Sequence, residues 1–171
     1  MKLLKSKIFW VSFILIGSFV FFFNYGTPWS LYNSNKEFEN HLENEYQSDF
    51  IISDISYDLI HNTYHAQAYE INQPDIQFYV GQNIGNKKIT DGYKFENFKK
   101  TVTEDVTAIA QEYIPEYTKV NVEVISTETQ EIEVNIWVDN DVDDELKNKI
   151  KTEIDSSEYT TNQLFFNKNN N

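Results

Sequence analysis

One continuous apolar run dominates the start of the chain. No charged residue occurs between Ile8 and Asn35, and the run ends in three phenylalanines, Phe21 to Phe23. A helix over residues 8–25 is about 27 Å long at about 1.5 Å per residue, close to the roughly 30 Å hydrocarbon core of a bilayer. Backbone polar groups in lipid have to pair within their own segment. The pattern therefore predicts a transmembrane helix over residues 8–25.

Charged and aromatic residues around this run predict its orientation. Lys2, Lys5 and Lys7 precede it, and lysines flanking a span stay in the cytoplasm. We expect a cytoplasmic stub over residues 1–7 and a single-pass protein of the cell membrane whose C-terminus lies outside. Trp and Tyr favour the interface between lipid and water. The expected membrane-interface anchors are Trp10, Tyr25, Trp29 and Tyr32.

A cleaved signal peptide also begins with basic residues and an apolar core. It ends, however, in small residues before the cleavage site, whereas this run ends in phenylalanines with no Ala-x-Ala pattern after it. The chain has no cysteine and so no lipoprotein attachment site. We interpret the segment as an uncleaved signal-anchor that contacts membrane lipid through residues 8–25.

The first outer module is expected over residues 34–92. Gly26 and Pro28 predict a juxtamembrane linker over residues 26–33. A capping-box pattern starts at Ser34, and apolar residues every fourth position then predict a helix over residues 34–46. These apolar residues are Phe38, Leu42 and Tyr46. Alternating segments with short turns predict three to four antiparallel strands, over residues 51–57, 64–71, 76–80 and 88–90.

The second module is expected over residues 93–171. Apolar residues at helical spacing from Phe95 to Tyr113 predict a helix. Alternation over 120–124 and 132–138 predicts a hairpin. Asp141 is the expected cap of a last helix, an edge strand is possible over 163–166, and residues 169–171 are expected to be a disordered tail. The predicted class is α+β: a transmembrane helix, then helices and antiparallel sheet, as two small modules packed together or as one domain.

Charge divides the chain at the predicted membrane. The whole protein of 171 residues carries a net charge of −13. Its first 23 residues hold three lysines and no acidic residue, and the other 148 hold 11 lysines against 27 acidic residues, a net charge of −16. An acidic surface repels phosphate, so nucleic acid is not an expected partner. Partners of the outer part should be neutral, basic or bridged by cations.

No arrangement of catalytic or metal-binding residues stands out. His61 and His65 flank a turn near Asp58, but their spacing lacks the facing geometry of two histidines on one helix. Residues 139–145 resemble the start of a calcium loop, but Asp144 and Ile150 stand where that loop needs glycine and glutamate. Acidic residues there also suit a helix N-terminus. We expect no metal, no cofactor and no enzymatic activity.

Aromatic residues make up 16% of the chain. Four tyrosines lie in the predicted sheet of the first module and form a speculative binding surface for peptide or glycan. They are Tyr57, Tyr64, Tyr69 and Tyr79. The alternative is that they pack within the sheet, which tyrosine also favours.

Segments of the first half resemble a known family. After the apolar anchor come Gly26–Trp29, an acidic helix, Tyr57, Tyr64–Tyr69 and Pro74–Val80. In this order they resemble the YfjL-like group of uncharacterised, small membrane-anchored proteins from Gram-positive bacteria. The resemblance is clearest over residues 1–93, and the later half resembles the second domain of longer members. It implies location and architecture, and no catalytic residue can be carried over from it.

Three functional hypotheses follow. The first is a membrane-anchored, extracytoplasmic, non-catalytic protein that binds an unknown envelope protein, a peptide or wall material. The second is a regulator, inhibitor or immunity protein that acts on a membrane protease or another envelope protein. The third is a hydrolase that uses two converging carboxyl groups.

Overall fold

The protein is described by a computed structural model over residues 7–169. Lys2 and Lys5 of the predicted stub, and residues 170–171 of the predicted tail, lie outside the described residues. The chain divides into two compact units, unit 1 up to Tyr93 and unit 2 from Lys94. Both combine helices with a β-sheet, which confirms the α+β class.

The apolar run forms helix α1, Lys7–Tyr25. Within the described residues it is the one stretch of helix long and apolar enough to cross a membrane, and none of its side chains is buried. The helix ends at Gly26, which has a φ of 68°. The Gly26 amide donates to the carbonyl of Phe22 at 2.9 Å, so a glycine in the left-handed region closes the last turn.

Helix α2, Pro28–Tyr46, begins earlier than predicted. The expected linker over residues 26–33 is wrong, because Thr27 caps the helix and Pro28 occupies its first turn. The Thr27 hydroxyl accepts a hydrogen bond from the amide of Ser30 at 3.2 Å. Proline is favourable there because its missing N–H is one that a helix leaves unpaired. The expected cap, Ser34, lies buried inside the helix.

Unit 1 contains a four-stranded antiparallel sheet in the order β1-β2-β3-β4. The strands are β1 Phe50–Asp58, β2 Thr63–Glu70, β3 Gln73–Gln82 and β4 Ile89–Asp91. Alternate residues of the strands pack with Phe38 and Leu42 of α2, so α2 covers one face. Burial alternates along β2 and β3, and no helix of unit 1 covers the other face of the sheet in the described structure.

Unit 2 has a mixed sheet in the order β5-β6-β7. Its elements are α3 Tyr93–Tyr113, β5 Tyr117–Ser126, β6 Glu131–Val138, α4 Asp144–Ser156 and β7 Thr160–Lys168. The hairpin β5–β6 is antiparallel, but β7 pairs in parallel with β6. The predicted hairpin is therefore confirmed, and the edge strand expected over 163–166 is part of β7. Its direction is parallel because the crossover through α4 returns the chain in the same direction.

Two predictions at the ends of these elements are also wrong. Asp143, not Asp141, caps α4, and its carboxylate accepts from the amide of Leu146 at 2.8 Å. Asn169, expected in the disordered tail, continues the sheet contacts of β7. Its amide donates to the carbonyl of Val138 at 3.1 Å, because the parallel register carries the chain past the end of β6.

Candidate functional site

The four sequence-predicted tyrosines lie on two faces of the unit 1 sheet. Tyr57 and Tyr64 are partners across β1 and β2, with ring centroids 4.9 Å apart, and pack with the core beneath α2. Tyr69 and Tyr79 are paired with the exposed Gln77 and Gln67 on the opposite face. Successive strand residues point to opposite faces, so the four do not form one surface. We call the face that carries Tyr69 and Tyr79 the open face.

Tyr64 has a structural role at the end of α1. Its side chain is only 5% exposed, and its hydroxyl donates to the carbonyl of Tyr25 at 3.2 Å. The ring of Tyr57 packs on Phe22, with centroids 6.4 Å apart. These contacts join the end of α1 to the first two strands, where Tyr64 is buried and Tyr57 is partly buried.

The four expected interface anchors are exposed. Trp10 and Tyr25 lie on α1, and Trp29 and Tyr32 lie on the first turns of α2, where their rings are 6.4 Å apart. Trp29 and Tyr32 therefore belong to a helix and not to a linker, and both side chains remain free to contact an interface layer.

Each of the three histidines has its own hydrogen-bond partners. His61 pairs with Asp58 at 2.6 Å, and His41 pairs with Asp91 at 3.0 Å. His65 bonds to Thr63 and to Tyr79. Within residues 7–169 no three His, Cys, Asp or Glu side chains are grouped to hold a metal ion.

The acidic residues before α4 also have separate partners. Asp139 accepts from the side chain of Asn169 at 2.7 Å, Asp141 pairs with Lys168 at 3.1 Å, and Asp143 caps the helix. Asp144 bonds to Lys147, which lowers the pKa of that aspartate. Each carboxylate thus has a local structural partner.

A buried polar cluster ties α2 to the end of the sheet. Asp91 accepts from the hydroxyl of Tyr46 at 2.7 Å and from the amide of Tyr93 at 3.1 Å, in addition to its bond with His41. Glu70 accepts from the hydroxyl of Tyr93 at 2.5 Å. Burial, and then this bond, raise the pKa of Tyr93 to about 12. The cluster is enclosed by its own hydrogen bonds, which indicates a structural role.

The most ligand-like feature is a pair formed by His65 and Tyr79 on the open face, and the sequence did not predict that these two side chains meet. Their rings stack at 5.5 Å and 24°, and the Tyr79 hydroxyl bonds to His65 Nδ1. His65 Nε2 bonds to the hydroxyl of Thr63 at 2.9 Å, and Thr63 is fully buried. Both ring nitrogens are thus held, which fixes the imidazole beside the tyrosine.

Gly81 makes room for this pair. It stands directly opposite His65 in the β2–β3 register. A Cβ at this position would lie 2.5 Å from His65 Nδ1 and 2.9 Å from the Tyr79 hydroxyl. An isolated glycine in a strand indicates such a close approach. Of the two paired residues, Tyr79 belongs to the binding surface that the sequence predicted, and His65 does not.

The pair borders a shallow cavity of about 550 Å³ on unit 1. The turn between β3 and β4 contributes several of the lining residues, and none of the lining residues is a lysine, aspartate or glutamate. The lining residues are His65, Tyr79, Gly81, Gln82, Asn83, Ile84, Asn86 and Thr90. An aromatic wall with several neutral hydrogen-bonding groups is the composition of a binding pocket for a small polar molecule. We call it the open-face pocket.

Comparison with known proteins places the chain in no family. No family model matches it, and no curated protein matches it. Among solved structures, it is similar to the crystal structure of a DUF5037 family protein from Ruminococcus gnavus ATCC 29149, with 14% sequence identity and a TM-score of 0.36. That similarity covers 70% of this chain and 68% of the other.

Proposed function

We propose that the protein is a single-pass membrane protein that holds a non-catalytic binding module outside the cell. The observation that carries the proposal is α1, whose apolar side chains have no cover in the described structure. Exposed side chains such as Ile8, Leu15 and Ile16 are unfavourable in water, at about 25 cal/mol per Å² of apolar surface. Lipid around the helix removes that cost.

The direction of insertion follows from charge. Lysines precede α1, while the part after it carries the net charge of −16. Lysines near a span stay in the cytoplasm, so units 1 and 2 lie outside. The interface-favouring side chains Trp29 and Tyr32 follow the span directly.

Three aspartates have pKa values shifted in the direction opposite to what a general acid needs. A general acid needs a raised pKa, whereas bonds from His61 and Lys147 lower the pKa values of Asp58 and Asp144. Burial acts to raise the pKa of Asp155, but bonds from Thr161 and Lys151 outweigh it, and the result is also lowered. The open-face pocket supplies neutral binding groups instead.

Cysteine labelling tests the membrane topology, because the natural chain has no cysteine. We expect Asn72→Cys, in the exposed β2–β3 turn, to react with a membrane-impermeant maleimide in intact cells. Ser6→Cys should react only after lysis, and the cysteine-free parent controls for background. Labelling of Ser6→Cys alone in intact cells, or full-length protein in the soluble fraction, would contradict the proposal.

Photo-cross-linking in cells tests binding at the open face. A benzophenone amino acid replacing Thr90, which lines the pocket, should yield an adduct. The same amino acid at the exposed Asn72 is the matched control and should yield none. Equal yields at both positions, or no adduct at either, would remove the open face as the binding surface.

A further inference from the structure

We propose that the open-face pocket binds a neutral sugar, an inference that rests on the proposed binding function and names its ligand class. The shared chemistry is that of an uncharged hexose ring. Two sources can present it outside a cell: the head group of a glycolipid, and a soluble or wall-derived glycan.

The first argument is the aromatic wall. Tyr79 is 48% exposed although its ring stacks on His65, so a broad part of the ring is open to a ligand. One face of a pyranose ring carries mainly C–H groups, which pack on an aromatic ring and are removed from water. The bonds that hold His65 on both nitrogens keep this wall in place before a ligand arrives, which lowers the entropy cost of binding.

The second argument is the supply of oriented donors. The side-chain oxygen of Gln82 accepts from the amide of Tyr64 at 3.0 Å, and that of Asn86 accepts from the amide of Lys88 at 2.9 Å. Each amide group is thereby oriented. Its nitrogen has no hydrogen-bond partner in the described part of the chain, and it stays available to the oxygen atoms of a sugar hydroxyl or ring.

The third argument is the absence of charge in the pocket lining. The part of the chain after the anchor is strongly acidic, yet a cationic ligand would meet no carboxylate in this pocket. No lysine is among the lining residues either, and the ammonium group of Lys87, in the adjoining turn, donates to the carbonyls of His61 and Asn62. The lining therefore suits a polar ligand without charge.

The fourth argument separates a sugar from an extended peptide. A peptide that adds to a sheet needs an unpaired strand edge. At the pocket, β3 lies between β2 and β4, and Gly81 is paired with His65 on one side and Thr90 on the other. The backbone of β3 at the pocket is thus already used, and recognition at β3 has to come from side chains.

The position of the pocket makes a glycolipid head group accessible. His65 follows Tyr64, whose hydroxyl contacts Tyr25 at the end of α1. The pocket thus lies at the end of the sheet that is joined to the anchor. A sugar on a lipid head group and a sugar on a soluble chain both fit the same lining, and the experiment has one arm for each.

The test uses the full chain in lipid nanodiscs and titrates methyl β-glucoside, glucosamine and glucuronate, followed by NMR shifts of the Gln82 and Asn86 side-chain amides. We expect the neutral glucoside to bind at least about tenfold more tightly than either charged sugar. A second arm adds glucosyl-diacylglycerol to the nanodisc and compares it with diacylglycerol alone. If the amide shifts saturate at a lower concentration of glucosyl-diacylglycerol than of methyl β-glucoside, the ligand is a glycolipid head group. If they do not, the ligand is a soluble or wall-derived glycan.

Variants connect the binding to the pocket. Tyr79→Ala should weaken binding about tenfold or more, whereas Tyr79→Phe, which keeps the ring, should weaken it by at most about threefold. Tyr69→Ala, on the same face but outside the pocket lining, is the matched control and should change nothing. Folding of each variant is checked by the dispersion of its NMR spectrum.

Equal affinity for neutral and charged sugars, or unchanged binding in a folded Tyr79→Ala variant, would overturn the inference. So would the absence of saturable shifts with any sugar, although this result would leave open-face binding of another ligand class intact. Failure of the proposed function itself would be seen separately, in the topology and cross-linking experiments.

Discussion

The hydroxyl of Tyr64 donates a hydrogen bond to the carbonyl of Tyr25 over 3.2 Å. This contact joins the last residue of α1 to the second residue of β2. Burial raises the pKa of Tyr64 above its ordinary value, which extends the pH range in which the hydroxyl can donate this bond. The bond caps a carbonyl that a helix end leaves unpaired, and it couples the membrane helix to the sheet of unit 1.

Gly26→Ala should destabilise unit 1 by about 3 kcal/mol, because two costs add. The φ of 68° disfavours any residue with a Cβ, by roughly 1–2 kcal/mol. The new Cβ would also lie 2.1 Å from the Tyr64 hydroxyl. Chemical denaturation in detergent measures the total.

Two glycines separate these costs. Gly85 has a φ of 94°, and a Cβ added there would meet no other atom within 4 Å. A Cβ added at Gly17 would also meet no atom within 4 Å, and Gly17 has no positive φ. We expect a loss of roughly 1–2 kcal/mol for the first and none for the second. A Gly26→Ala effect no larger than that of Gly85→Ala would mean that the Tyr64 contact is unimportant.

Gly81→Ala should disrupt the His65–Tyr79 pair, since its Cβ would lie 2.5 Å from His65 Nδ1. The nitrogen resonances of the His65 imidazole report the loss of the hydrogen bond. Gly92→Ala is the matched control, because its Cβ meets other atoms only at 3.8 Å or more. Identical His65 spectra in the two variants would contradict the described packing.

Alkaline pH should destabilise unit 2. Burial, and then the hydrogen bond to Asp105, raise the pKa of Tyr159 from 10.0 to about 12. The folded state holds this proton more tightly than the unfolded chain does. The contribution to stability, at most about 3 kcal/mol, is therefore complete below pH 10 and is lost as the pH rises to about 12.

Tyr159→Phe should flatten this pH dependence. Urea unfolding between neutral pH and pH 12, followed by the fluorescence of Trp137, measures it, because Trp137 is the one tryptophan in the sequence of unit 2. The free energy of unfolding should still fall somewhat with rising pH in this variant, since burial also raises the pKa of Tyr113. Tyr117→Phe is the control, and a slope unchanged by Tyr159→Phe would refute the assignment.

Asp143→Ala should cost about 1 kcal/mol of stability in unit 2, the usual value of an N-cap. Asp141→Ala, at the cap position that the sequence favoured, should cost less than about 0.5 kcal/mol, because it removes only an exposed ion pair with Lys168. Thermal unfolding compares the two variants directly. The reverse order would place the start of α4 two residues earlier.

Ile136→Ala should be among the most damaging substitutions in unit 2, at about 2–5 kcal/mol. Ile136 is fully buried in the central strand β6, between Val120 and Phe166 in the register. Ile125→Ala, half exposed on β5, should stay within about 0.5 kcal/mol. Comparable losses for both would be inconsistent with this core.

Some elements were predictable because their causes are local. The apolar run of α1 allows only a helix, since lipid offers its backbone no other partner. The alternation in β5 and β6 needs no distant contact to be recognised. The start of α2 was missed because Thr27 and Ser34 both offer a capping hydroxyl, and the proline after Thr27 decided between them.

By itself, then, the sequence determined the apolar helix, the α+β class and the alternation of strands β3, β5 and β6, because composition and spacing act within a few residues. Only the tertiary structure decided that β7 runs parallel to β6 and that Tyr57 and Tyr64 support α1 while Tyr79 meets His65 on the open face. Pairing between strands depends on contacts over many residues, and a one-residue change of register moves every side chain to the other face. The register of β2, β3 and β4 is what places His65, Gly81 and Thr90 side by side in the open-face pocket.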